Sequence, residues 1–109
     1  MNKKIYLFCS LGISTNLLAI KIQNVANKNK LPIEVKAFSY YEIDKIVEQK
    51  KPDCILLGPQ VKFNLKEVQT KFGEKTPVDI INSIDYSSMN GENILENAIK
   101  MIKTHNLKY

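Results

Sequence analysis

Lys4-Ile5-Tyr6-Leu7-Phe8-Cys9-Ser10-Leu11-Gly12-Ile13-Ser14-Thr15-Asn16 decides how this chain folds, because it passes from one kind of backbone to another without a break. Lys4 to Cys9 is a continuous apolar run between charge and a Ser/Gly cluster. It predicts a strand buried on both faces. Ser14 or Thr15 is placed to cap the next element. Leu17, Leu18, Ile22, Val25 and Ala26 then recur at helical spacing, opposite Lys21, Gln23, Asn24 and Lys28. A strand leading directly into an amphipathic helix is the first half of a βαβ unit.

Outward from that stretch the pattern repeats. Pro32 closes the first helical region, and Ile33 to Phe38 alternates like a strand nearer the sheet edge. Ser39-Tyr40-Tyr41-Glu42 has the form of a capping box, continued by Ile43, Ile46 and Val47 as a short helix. Asp53 to Gly58 is a second fully apolar run, hence a central strand, broken at Gly58-Pro59. Val61, Leu65, Val68 and Phe72 share a helical face that Gly73 ends as a C′ residue. Pro77 to Ile81 reads as a fourth strand, and Asn82 to Asn90 as a polar loop. A last helix carries Ile94, Leu95, Ala98, Ile99 and Ile102. The order βαβαβαβα over residues 1–109 predicts one α/β domain. Its four-stranded parallel sheet is doubly wound in the flavodoxin-like manner, with helices on both faces. Ligands of such sheets bind at the carboxyl ends of the strands, beside the switch in strand order. Cys9 ends the first strand.

Composition narrows the chemistry. Sixteen basic residues, all lysine, against eleven acidic ones give a net charge of +5, scattered without a stripe. No basic-plus-aromatic motif points to nucleic acid. Cys9 and Cys54 form neither a CxxC pair nor, with the one histidine, His105, a metal spacing. No metal or cofactor is expected. The apolar run from Ile5 is too short for a signal peptide or a membrane span. A cytoplasmic protein with reduced thiols is expected.

The loop after Cys9 carries the chemistry. Ser10, Leu11, Gly12, Ile13, Ser14, Thr15 and Asn16 lead into a helix start with three hydroxyls, one glycine and no negative charge. Helix N-termini leave N–H groups unpaired, and a tight loop can aim several at one anion. Gly12 is expected to take a backbone conformation that other residues avoid. The same surroundings favour a thiolate at Cys9, the form that acts as a nucleophile. Cys54, inside an apolar run, reads as a structural thiol.

Small Cys-dependent phosphatases and arsenate reductases clamp phosphate with an arginine where Thr15 stands, and this chain has no arginine. A carrier that holds a labile phosphoryl group fits better. A flavodoxin-like FMN module is a further alternative, with Tyr40, Tyr41 and Tyr86 available for stacking.

Three motifs resemble one family. Lys4 to Thr15, Leu56-Leu57-Gly58-Pro59-Gln60-Val61, and Ile84-Asp85-Tyr86-Ser87-Ser88-Met89-Asn90-Gly91 are similar, in order, to the IIB subunits of lactose/cellobiose-type sugar phosphotransferase systems. Leu11 and Ser87 depart from the family's usual small residue and glycine. The resemblance implies that Cys9 becomes a phosphocysteine. The donor would be a phosphohistidine of a IIA protein. The acceptor would be a sugar such as cellobiose, chitobiose or lactose, bound by the membrane IIC component. The chain itself would not span the membrane and would work transiently at its inner face. Pro59, Gln60 and Tyr86 would lie near the Cys9 loop, for contact with it or with a partner.

Overall fold

The computed structural model describes residues 2–10 and 12–108, the side chains of residues 12–14 and 108 excepted. Strands β1 (Lys3–Cys9), β2 (Ile33–Ser39), β3 (Cys54–Leu57) and β4 (Val78–Ile80) form one sheet. Its order is β2-β1-β3-β4, and every pairing is parallel. The helices are α1 (Gly12–Lys28), α2 (Ile43–Lys50), α3 (Leu65–Phe72), α4 (Ser83–Ser87) and α5 (Gly91–Lys108).

The apolar runs became the two inner strands because only an inner strand buries both faces. Ile5 and Leu7 pack with Leu18, Ile22 and Ala26 of α1 and with Ile94, Leu95, Ala98 and Ile102 of α5. Tyr6, Phe8, Ile55 and Leu57 pack on the opposite face with Ile43, Ile46 and Val47 of α2 and Val68 of α3. The α/β architecture with helices on both faces is therefore present. Order reverses beside β1, whose neighbours are β2 and β3, so Cys9 ends its strand at the switch.

Several local expectations are corrected. The first helix begins at Gly12, so Thr15 lies inside its first turn and not at its N-cap. Leu17 is 57 % exposed, because α1 is apolar over more than its buried stripe and Leu18, Ala19 and Ile22 take the core side. Ser39 caps a 3-10 turn, Tyr40–Glu42, its hydroxyl accepting from Tyr41 N at 3.3 Å before α2 starts. Val61 lies in a kinked 3-10 stretch, Pro59–Asn64, ahead of α3. Gly73 has φ −63°, so its place at the end of α3 needs no left-handed conformation. Within the supposed polar loop, Asn82 accepts from Ile84 N and Asp85 N at 2.9 and 3.1 Å and starts α4.

Both outer strands have their edges occupied. On β2 the Gln23 amide donates to Ile33 O at 2.7 Å and accepts from Val35 N at 2.8 Å, as a neighbouring peptide would. On β4 the Asp79 carboxylate accepts from Ile80 N at 2.7 Å.

Candidate functional site

Cys9 is held by the sheet on both sides. It pairs with Ser39 of β2. Across from it Gly58 extends β3, donating its N–H to Phe8 O at 2.8 Å. Strand alternation turns the Cys9 side chain to the same face as Ile5 and Leu7, toward α1. The first turn of α1, which follows Cys9 after two residues, carries no acid, so no carboxylate there offsets the positive end of the helix.

Thr15 reaches back from that turn and donates its hydroxyl hydrogen to Cys9 Sγ. Thr15 is wholly buried and Cys9 is 1 % exposed. Tyr86 Oη stands 3.1 Å from Thr15 Oγ1. The Tyr86 ring packs against the α1–α5 core, so one residue serves both packing and polar contact. Behind the sulfur, a Cβ on Gly58 would stand 2.9 Å from Cys9 Cβ and 2.6 Å from Gln60 Oε1. Glycine there lets β3 close up on the cysteine, and the Gln60 amide borders the same glycine.

Residues 4–97 match the sequence profile of the family "PTS system, Lactose/Cellobiose specific IIB subunit". The chain belongs to this family. The galactose-specific EIIB component of Lactococcus lactis subsp. cremoris is 40 % identical over 101 residues, covering 89 % of this chain and 94 % of the relative. The cellobiose-specific EIIB component of Lactococcus lactis subsp. lactis has the same identity and coverage. A solution structure of the cellobiose-specific IIB component from Borrelia burgdorferi is 32 % identical. It superposes with a TM-score of 0.78 over 96 % of this chain and 95 % of that one. This IIB chain is thus a sugar-specific component of a phosphotransferase system, and its enzyme class is phosphotransferase.

Of the residues named from the sequence, Cys9, Thr15 and Tyr86 come together, with Gln60 bordering Gly58. Ser10 is half-buried next to Cys9, and Asn16 is exposed on α1. Leu11 and the side chains of Gly12, Ile13 and Ser14 lie outside the described residues. The Gly12 backbone opens α1, and among the described residues no glycine has a positive φ. Pro59 starts the 3-10 stretch and lines a groove of about 1480 Å³ between β4, α3 and α5.

Cys54 is fully buried. Burial pushes its thiol well above the ordinary range, and the Asp79 and Asp53 carboxylates add to that. Tyr6 is likewise pushed up, by burial first and then by its 2.7 Å bond to Glu34. Among the described residues no His/Cys/Asp/Glu group is arranged to hold a metal ion, and no helix is long and apolar enough to cross a membrane.

Gly58 was legible as a strand breaker, and its contact with Cys9 was not. The missing information was the pairing of β1 with β3, which brings two residues far apart in sequence into van der Waals contact.

Proposed function

We propose that this IIB chain carries a phosphoryl group on Cys9 between a phosphohistidine of a IIA partner and a sugar held by a membrane IIC partner. One observation carries the proposal: the sulfur ending β1 accepts a hydrogen bond from Thr15 in a helix turn without acids. Such surroundings stabilise negative charge on sulfur and on incoming phosphoryl oxygens alike.

In the first step the Cys9 thiolate attacks phosphorus. An S–P bond forms, the N–P bond breaks, and its electron pair returns to the imidazole. In the second step a sugar hydroxyl oxygen attacks phosphorus and gives up its proton. The S–P bond breaks and its pair returns to Cys9, where Thr15 donates to the thiolate that leaves. Arginine, which would clamp phosphate for hydrolysis, is absent from the sequence.

The sugar is a β-glucoside or a disaccharide of the cellobiose, chitobiose or lactose type. Relatives named for galactose and for cellobiose are equally similar, so selection among sugars is assigned to IIC. The chain works in the cytoplasm, at the inner face of the membrane. Leu17, Tyr41, Phe63 and Ile84 are all more than half exposed, on elements that follow the carboxyl ends of the four strands. Apolar side chains at that end of the sheet support docking by a protein partner.

Mixing with phosphorylated IIA and reading the intact mass tests the proposal. The wild type gains one phosphoryl group, and Cys9→Ser passes none to sugar. A wild type that gains none, or a serine variant that still transfers, overturns it.

A further inference from the structure

We propose that Tyr86 is a positioning residue that acts on the Cys9 sulfur through Thr15. Thr15 has one hydroxyl hydrogen, and that hydrogen is directed at Cys9 Sγ. When Cys9 is a thiolate, which can only accept, that hydrogen stays on sulfur, and in the 3.1 Å contact between Thr15 Oγ1 and Tyr86 Oη, where either hydroxyl could donate, the tyrosine then donates and the threonine accepts. The donation runs Tyr86 to Thr15 to Cys9. It ends on an atom that, as a thiolate, can only accept.

The direction matters because it can reverse. A protonated Cys9 would donate to Thr15, which would then donate to Tyr86. A negative sulfur requires the opposite sense. The polarity of the chain therefore follows the charge on sulfur, and each link strengthens the next. A helical threonine also has competing acceptors in the carbonyls three or four residues back. Donation from Tyr86 occupies the threonine oxygen and keeps its hydrogen on the sulfur. Water does not replace this contact, since Thr15 is wholly buried.

The fold holds Tyr86 for this purpose from 71 residues away. Its ring rests on the α1–α5 core, and its helix, α4, is started by the Asn82 cap. The groups level with Cys9 on the neighbouring strands, Ser39 and Gly58, do not titrate. The first turn of α1 holds no acid. Beside the tyrosine, Asp85 accepts from Asn93 at 3.4 Å, and Glu92 is exposed at the start of α5.

The consequence for transfer rests on the proposed phosphocysteine, whereas the relay itself is read on the free thiol. The experiment is the pH profile of iodoacetamide alkylation at Cys9, located by mass, in the wild type, Tyr86→Phe, Thr15→Val, Thr15→Ser and the double variant Tyr86→Phe/Thr15→Val. Tyr86→Phe is expected to move the midpoint upward by about half a unit to one unit, the equivalent of one modest hydrogen bond. Thr15→Val moves it at least as far, and Thr15→Ser keeps the wild-type midpoint. The double variant matches Thr15→Val alone, because the relay reaches sulfur through the threonine. An unmoved midpoint in Tyr86→Phe, or additive shifts in the double variant, overturns the relay. Phosphoryl acceptance from IIA is measured in parallel, and Tyr86→Phe is expected to slow it several-fold. If the wild type alkylates as expected but accepts no phosphoryl group, the proposed function fails and the relay stands.

Discussion

Gly58→Ala puts a methyl group where β1 and β3 come closest to the cysteine. The new Cβ would lie 2.6 Å from Gln60 Oε1 and 2.9 Å from Cys9 Cβ. Carbon atoms pack best at about 3.5–4.0 Å, so both contacts must open. Gln60 is an exposed side chain and can swing aside. Cys9 cannot, because its strand is paired with β2 at Ser39 and held by the Gly58 N–H to Phe8 O on the other side. The strands must therefore separate, or Cys9 must shift, by roughly half an ångström or more. Overpacking of this kind costs about 1–3 kcal/mol. For a chain of this size that lowers the melting temperature by roughly 5–15 °C, read by circular dichroism. Transfer suffers further, since displacement of a reacting atom by 1 Å costs about a hundredfold. A loss of about tenfold is expected at temperatures where the variant is folded. Gly91→Ala adds a methyl away from Cys9: its new Cβ would lie 3.3 Å from the Lys21 carbonyl carbon, a tight backbone contact, so it is expected to cost stability while leaving transfer by the folded protein unchanged. Adding Gln60→Ala to Gly58→Ala separates the two obstacles. Rescue by that second change, or wild-type melting and transfer in Gly58→Ala alone, refutes the claim that Cys9 is what the glycine accommodates.

Two further outcomes are expected. A thiol held protonated by folding, as Cys54 is, stabilises the protein fully below the unfolded thiol's titration near pH 8.5 and loses that contribution as pH rises toward the folded value. Urea unfolding between pH 8 and pH 10 should thus show Cys54→Ala with the shallower loss, by about 1.4 kcal/mol per pH unit above the thiol's titration; parallel losses would contradict the assignment. Gln23→Ala removes two hydrogen bonds from the edge of β2, at 2.7 and 2.8 Å, and should cost about 1–2 kcal/mol while promoting concentration-dependent association through the opened edge. Sedimentation shows whether the variant stays as dispersed as the wild type, which would mean that the amide does not guard the edge.

How much of this was legible in the sequence depends on the range of the interaction that decides each feature. The sheet order was close to the surface of the text. Ile5 to Cys9 and Cys54 to Leu57 are apolar without alternation, so they had to lie inside, and Ile33 to Ser39 alternates, so it had to lie nearer an edge. Leu17 was misplaced because periodicity places a stripe only when the opposite face is polar, and Ile20 and Leu17 leave α1 apolar on two sides. Helix α4 was passed over as a loop although Asn82 and Asp85 supply a cap and a first-turn acid, since five residues are too few for a period to emerge. Cys9 could be singled out as the candidate because its signal is local: a thiol, a glycine and hydroxyls before a helix. Its supporting residues could not. Tyr86 and Gly58 come to the Cys9 site through the contact of Tyr86 with Thr15 and the pairing of β3 with β1. Each looks ordinary in its own segment, a core aromatic and a strand-ending glycine. It follows that the candidate nucleophile of such a site is found by reading along the chain, and the residues that would hold it ready are found by asking what the fold packs around it and around its hydrogen-bond partner.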